Sequence, residues 1–227
     1  MHNLEQLQHE LIGKEPITEN LSLLCKPRFD HLETIIKELN ENNIPGDIIE
    51  TGCWRGGACI YIRAILDSVN DTNRYVYAAD SFQGVPKPDL ENFPIDSYST
   101  HYKSDLLKVS LEEVQENFKK YGYLDDRTIF IPGWFKDTIT NLKPKSGKWS
   151  ILRLDGDIYE STIQVLNALY DDLSVGGYVI IDDFGSDIGA SHATRDFFYK
   201  IGKIDSNEIT PSELKIDRKS LSAYWQK

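Results

Sequence analysis

Asp155 and Asp157 flank Gly156 in LRLDGDIYEST (152–162), and Asp182 and Asp183 close a second apolar run, YVIIDDFG (178–185). Carboxylates at the ends of such runs are costly to bury unless something neutralises them. Asp155, Asp182 and Asp183 have the chemistry of a divalent-cation site. Hard ions such as Mg²⁺ take carboxylate oxygens and keep positions for water or substrate. The five histidines show no transition-metal spacing, in keeping with a hard ion. Asp157 is then free to accept the proton of a hydroxyl that the cation acidifies. The local alternatives are a cap on the following loop for Asp182 or Asp183, and an N-cap on a helix starting near Tyr159 for Asp157.

A second cluster surrounds ETGCWRGG (50–57). Gly52 follows a strand-like run, and Gly56 and Gly57 open a helix, so the backbone can turn tightly and approach a ligand. Trp54 stands where a dinucleotide fingerprint needs its second glycine, which argues against NAD or FAD. The lysine of a P-loop is absent as well. Asp80 ends the next strand, the position from which an acid holds ribose hydroxyls. An adenosine-like ligand without phosphates fits, and S-adenosylmethionine is one: Glu50 and the turn would face its amino-acid portion, and Asp80 its ribose.

DGDIY (155–159) also resembles the D-x-D nucleophile motif of haloacid-dehalogenase-type phosphotransferases, so a Mg²⁺-dependent phosphotransferase or phosphatase using Asp155 and Asp157 is an alternative. It fits poorly. The motif follows the fourth predicted strand, position 159 is Tyr, and no Lys or Arg lies between Asp157 and Asp182. A nucleoside-binding protein without catalysis is a further alternative, and a nicotinamide-dependent reductase another.

These residues need strand ends to hold them, and the periodicity supplies them. Strands are predicted over DIIE (47–50), RYVYAAD (74–80), RTIFIPGW (127–134), WSILRLDGD (149–157) and GGYVIIDDF (176–184), alternating with helices. That alternation predicts an α/β fold, a mostly parallel sheet with helices on both faces. Glu50, Asp80, Gly133, Asp155 and the Asp182/Asp183 pair all fall at predicted carboxyl ends, where such sheets bind ligands. Residues 1–43 read as a helical N-terminal extension, with Phe29, Leu32, Ile35, Ile36 and Leu39 at helical spacing. Ser110 and Glu113 form a capping box, and the tail LKIDRKSLSAYWQK alternates like closing antiparallel strands. The irregular stretch 84–109 is too long for an ordinary connection and reads as a substrate or lid loop. One domain, 1–227, is expected.

The 227 residues suffice for one substantial core. A net charge of −11 with no local Lys/Arg cluster disfavours nucleic acid. The chain has no apolar run long enough for a transmembrane helix and no signal-peptide pattern. Cys25, Cys53 and Cys59 show no metal spacing and read as reduced thiols of a cytoplasmic protein, Cys53 packing rather than reacting.

IPGDIIETGCWRGGACIYIRAIL, AADSFQGVPKP, LRLDGDIYEST, LSVGGYVIIDDFG and IDRKSLSAYWQK together resemble the macrocin O-methyltransferase family, which acts on sugar hydroxyls of macrolide and aminocoumarin antibiotics. The likeness runs from about residue 27 to the C-terminus; segment 85–109 matches no family pattern. The resemblance implies a Rossmann-like class I methyltransferase fold, S-adenosylmethionine as donor and Mg²⁺ dependence. Carried over by motif, Asp155, Asp182 and Asp183 would bind the metal and Asp157 would be the general base. The donor contacts expected are Glu50, Thr51, Gly52, Cys53, Trp54, Gly56, Asp80, Ser81, Phe82, Gly133, Trp134 and Asp155. The expected acceptor is a small-molecule sugar or glycoside, and the expected assembly a homo-oligomer, dimer or higher.

Overall fold

The computed structural model describes residues 2–14, 16–205 and 211–227. Five parallel strands form the centre of the sheet: β1 (Asp47–Thr51), β2 (Val76–Asp80), β3 (Thr128–Pro132), β4 (Trp149–Leu154) and β5 (Leu173–Ile181). They lie in the order β3-β2-β1-β4-β5. The C-terminal hairpin β6 (Lys215–Ile216) and β7 (Ala223–Gln226) then continues the sheet antiparallel from β5, as the alternating tail predicted. β5 begins three residues earlier than GGYVIIDDF suggested and stops at Ile181, so Asp182 and Asp183 lie on the turn beyond it.

Strand alternation divides the core between two faces. Ile48, Val76, Ala78, Ile151 and Ile180 pack beneath α1 (Leu4–Leu11), α2 (Lys26–Glu41), α3 (Gly57–Ser68) and α4 (Leu111–Lys120). Ile49, Tyr77, Ala79, Leu152, Leu154 and Ile181 pack on the other side, with residues of α6 (Tyr159–Leu169) and α7 (Ile188–Lys200). The short α5 (Phe135–Thr138) follows β3. By the same alternation Glu50 and Arg153 face the α1–α4 side, so two buried charges sit where a greasy pair would be expected.

The helical N-terminal extension comprises two α-helices, α1 and α2, with a 3-10 turn at Ile17–Glu19 between them. Between them the backbone at Leu21 crosses the turn after β1, where the Gly57 N–H donates to Leu21 O at 2.9 Å. A Cβ on Gly57 would stand 2.6 Å from the Leu21 carbonyl carbon, which is why glycine opens α3. Segment 84–109 folds into three 3-10 turns, Pro94–Tyr98, His101–Lys103 and Asp105–Leu107.

Candidate active site

The parallel ladder runs one residue past the ends of β1, β4 and β5. Gly52 N–H donates to Ala79 O (2.8 Å), Asp155 N–H to Thr51 O (2.9 Å) and Asp182 N–H to Leu154 O (2.9 Å). These bonds set Gly52, Asp155 and Asp182 side by side at the switch point between β1 and β4, where open α/β sheets bind ligands. Gly52 has φ +91°, and a Cβ there would fall inside the van der Waals shell of the Asp155 carbonyl. Its glycine serves the approach of two strand ends as much as the approach of a ligand.

Asp155, Asp182 and Asp183 each offer an oxygen, and these lie within 4.8 Å of one another. Two arginines that sequence reasoning missed share the task of neutralising them. Arg153, 1% exposed, donates to Glu50, to Asp182 and to Asp155 Oδ2 (2.9 Å). Arg28, from α2, donates to the other oxygen of Asp182 and, through Nη2, to the Ser220 carbonyl at 2.7 Å. A charged residue at an inward strand position was a readable signal for Arg153; nothing in the local sequence marked Arg28.

Burial, then the charges of Asp155, Asp187, Asp182 and Asp80, push the Asp157 carboxyl up to about 8. Asp182 is pushed up to about 7, chiefly by burial, with Arg153 pulling against it. Asp183 is raised for the same reasons, burial first and then Asp155 and Asp182. Two guanidiniums are therefore too few for these acids. A hard divalent cation among the three clustered oxygens would relieve that pressure, so the donor set fits Mg²⁺.

Asp157 sits at φ +62° in a three-residue turn closed by the Ile158 N–H donating to Gly156 O at 2.7 Å. That is the rarer, strained form of γ-turn. It does not cap α6. The cap comes from Asp96 of segment 84–109, whose oxygens accept from the N–H groups of Tyr159 (2.8 Å) and Glu160 (3.0 Å). Asp182 and Asp183 lie on the turn before α7, in which the Asp183 carbonyl accepts from Ser186 N–H (3.1 Å) and Asp187 N–H (2.8 Å), and α7 is capped by Asp187, accepting from Gly189 N–H at 2.8 Å.

An open cleft of about 490 Å³ lies over these strand ends, a volume suited to one small-molecule site. Of the expected donor residues, Glu50, Gly52, Cys53, Trp54, Asp80, Ser81, Gly133, Trp134 and Asp155 line it. Thr51, Gly56 and Phe82 stand behind that wall. Thr51 is buried in β1, Gly56 packs so closely on Phe118 that a Cβ would lie 2.5 Å from its ring, and Phe82 belongs to the core.

Glu50 is 1% exposed, one oxygen on Arg153 and the other accepting from Cys59 Sγ at 2.9 Å. Asp80 Oδ2 accepts from the backbone N–H groups of Cys53 (2.9 Å) and Trp54 (3.1 Å), holding the glycine turn to β2. Its Oδ1 accepts from the Phe82 N–H (2.9 Å) and the Ser81 hydroxyl (3.5 Å), and Asp80 lines the cleft. Burial raises the Cys53 thiol well above its ordinary range, as befits a packing residue. The N-terminal segment supplies Ser22, Leu24 and Arg28 to the same cleft.

A sheet of this order closed by an antiparallel hairpin, with a glycine turn and acids at its carboxyl ends, defines a Rossmann-like class I methyltransferase fold. The match to known proteins narrows it. Residues 7–227 match the family described as "Macrocin-O-methyltransferase (TylF)", and the chain belongs to that family. It is 39% identical over 196 residues to the 8-demethyl-8-(2,3-dimethoxy-alpha-L-rhamnosyl)-tetracenomycin-C 4'-O-methyltransferase of Streptomyces olivaceus, covering 86% of this chain and 74% of that protein. With the mycinamicin III 3''-O-methyltransferase of Micromonospora griseorubida it shares 37% over 218 residues, 95% of this chain and 82% of the relative. The structure of the O-methyltransferase NovP superposes with a TM-score of 0.84 at 34% identity, covering 99% of this chain and 94% of NovP. The calicheamicin methyltransferase CalS11, 19% identical with a TM-score of 0.67 over 100% of this chain and 94% of its own, shares the fold. The chain is an O-methyltransferase. The match begins at residue 7, well before the motifs at residue 27, and so takes in the segment that carries Ser22 and Leu24 to the cleft.

Proposed function

We propose that this O-methyltransferase moves a methyl group from S-adenosylmethionine to a hydroxyl of a sugar or glycoside, with Mg²⁺ held by Asp155, Asp182 and Asp183 and with Asp157 as general base. The observation that carries the reading is the convergence of those three carboxylates beside Asp157 on a cleft walled by the glycine turn and Asp80. The relatives' names add that such chains methylate sugar-bearing natural products.

Mg²⁺ would acidify an acceptor hydroxyl by several pKa units. Asp157, which lines the cleft from its positive-φ turn, would accept the hydroxyl proton on its carboxylate. Asp80 orients the glycine turn through its two N–H contacts and offers Oδ1 to the donor's ribose. Arg153 ties Glu50 on the donor side to Asp155 and Asp182 on the cation side, so the two halves keep one relative position. Alignment of donor and acceptor in the cleft would supply much of the rate.

The phosphotransferase alternative would spend Asp155 or Asp157 as a nucleophile on phosphate, and the family membership disfavours it. The three thiols, all free, suit the reducing cytoplasm, where we place the enzyme as a homo-oligomer. No helix among the described residues is long and apolar enough to cross a membrane.

The test is methyl transfer from labelled S-adenosylmethionine to a panel of glycosides and sugar nucleotides. Asp157→Asn should retain S-adenosylhomocysteine binding by calorimetry and lose about 10²–10⁴-fold in turnover. EDTA should abolish activity and Mg²⁺ restore it. Full activity in EDTA defeats the cation assignment, and wild-type turnover in Asp157→Asn defeats the base.

A further inference from the structure

Helices α4 and α7 take their N-caps from the residue just before them, Ser110 and Asp187. Helix α6 cannot. Its N-cap position is Ile158, fully buried in the core, and the residue before that is Asp157 in its strained turn. The free N–H groups of the first turn still need partners. They find them in Asp96, a carboxylate with 0% exposure reaching in from segment 84–109.

The same segment holds α7. Tyr98 Oη donates to Asp187, the α7 cap, and accepts from the Gly189 N–H at 2.7 Å. The Asp187 N–H in turn donates to Asp183 O at 2.8 Å. The junction is tight: a Cβ on Gly189 would lie 2.5 Å from Tyr159 N, 2.6 Å from Tyr98 Oη and 2.9 Å from Asp96 Oδ1. The two loops that carry the site's aspartates therefore meet through two side chains of a segment whose flanks, at Val85, Pro86 and Leu107, line the cleft.

We propose that Asp96, with Tyr98 beside it, is a positioning residue for methyl transfer: it clamps the start of α6 against α7 and so fixes Asp157 in its positive-φ turn beside Asp155, Asp182 and Asp183. The turn has two anchors. β4 lies in the middle of the sheet and does not yield, so the strain at Asp157 is released only if the first turn of α6 shifts. Asp96 prevents that shift. The inference rests on the proposed role of Asp157, and it makes the segment over the cleft a fixed brace at residues 94–98 rather than a free lid.

Crystal structures of Asp96→Ala and Asp96→Asn read the clamp directly, without any acceptor. In Asp96→Ala the Ile158–Gly156 bond should open and Asp157 should leave positive φ; Asp96→Asn, with one acceptor oxygen left, should show a smaller shift. An unchanged turn in a folded variant overturns the proposal. With the acceptor found by the panel, Asp96→Ala should lower kcat by about 10–100-fold, while S-adenosylhomocysteine affinity and acceptor KM hold. In an Asp157→Asn background Asp96→Ala should cost nothing further, because residues acting as a unit are not additive. Additive losses with weakened S-adenosylhomocysteine binding show a merely structural role and refute the idea. Should Asp96→Ala fail to fold, Asp96→Asn and Tyr98→Phe carry both readouts. If the wild type methylates nothing in the panel, the proposed function is at fault, and the crystal comparison still decides the clamp.

Discussion

Arg153→Met tests whether a buried arginine, and not the cation alone, supports the strand-end acids. The guanidinium is 1% exposed and bridges carboxylates from the ends of β1, β4 and β5. Methionine of similar length fills the space but leaves Glu50 with only the Cys59 thiol and Asp182 with only Arg28. Breaking a buried pair by removing one partner costs about 3–5 kcal/mol. For a chain of this size each kcal/mol moves the midpoint by about 2–4 °C, so the Tm should drop by roughly 10 °C in EDTA.

Two dependences separate this cause from lost packing. Mg²⁺ should recover part of the loss in Arg153→Met, because it neutralises Asp155 and Asp182 by another route. Acid should recover more. Burial already raises Glu50, with Arg153 pulling it down; without Arg153 its folded-state pKa rises further above the unfolded value. The folded variant then binds the extra proton, so its stability grows as the pH falls through that raised folded-state pKa toward the ordinary carboxylate pKa near 4.3. The assay is circular-dichroism melting of both proteins across that range. A deficit equal at pH 5 and pH 8, or no deficit in EDTA, refutes the reasoning.

Two further changes probe the frame. Gly52→Ala should cost roughly 4 kcal/mol in urea unfolding, since it combines a positive φ with a clash against the Asp155 backbone. A loss under about 1 kcal/mol would mean that the strand ends separate easily. Asp125→Asn removes the bidentate partner of Arg63, which is fully buried and held at 2.7 and 2.8 Å. Because Asp125 itself is 44% exposed, the expected cost is discounted to about 1–2 kcal/mol. Arg63 holds the Asp125 carboxyl below its usual range. That contribution should be complete above about pH 4 and fade as acid titrates the folded-state group, so wild type and variant converge at low pH.

The parallel core of the sheet was legible because each of its five strands is a mainly apolar run with Gly or an acid at its end. The acids of the site were legible for the same reason, since a carboxylate at the end of a buried run is conspicuous. What escaped reading is what arrives from far away in sequence. Arg28 reaches Asp182 from 154 residues upstream, and Asp96 reaches Tyr159 across 63. Both lie in stretches whose local pattern shows only a helix face or an irregular loop. The N-cap role considered for Asp157 was a sound local expectation, displaced by a distant side chain because Asp157 is held in a turn that cannot cap.

Charge at the strand ends explains why those distant residues are needed. Glu50, Asp155, Asp157, Asp182 and Asp183 meet two guanidiniums, Arg28 and Arg153. With protein groups alone the excess charge falls on Asp157, Asp182 and Asp183, whose carboxyls burial and neighbouring acids raise. A third arginine would satisfy them permanently and leave no base. A divalent cation on Asp155, Asp182 and Asp183 would instead leave Asp157 outside the proposed ligand set, and the turn at φ +62° holds it two residues from Asp155. The arginines offset part of that charge, and in the proposed function a cation would take up the rest. In the proposed clamp, Asp96 would keep Asp157 where an acceptor hydroxyl could reach it.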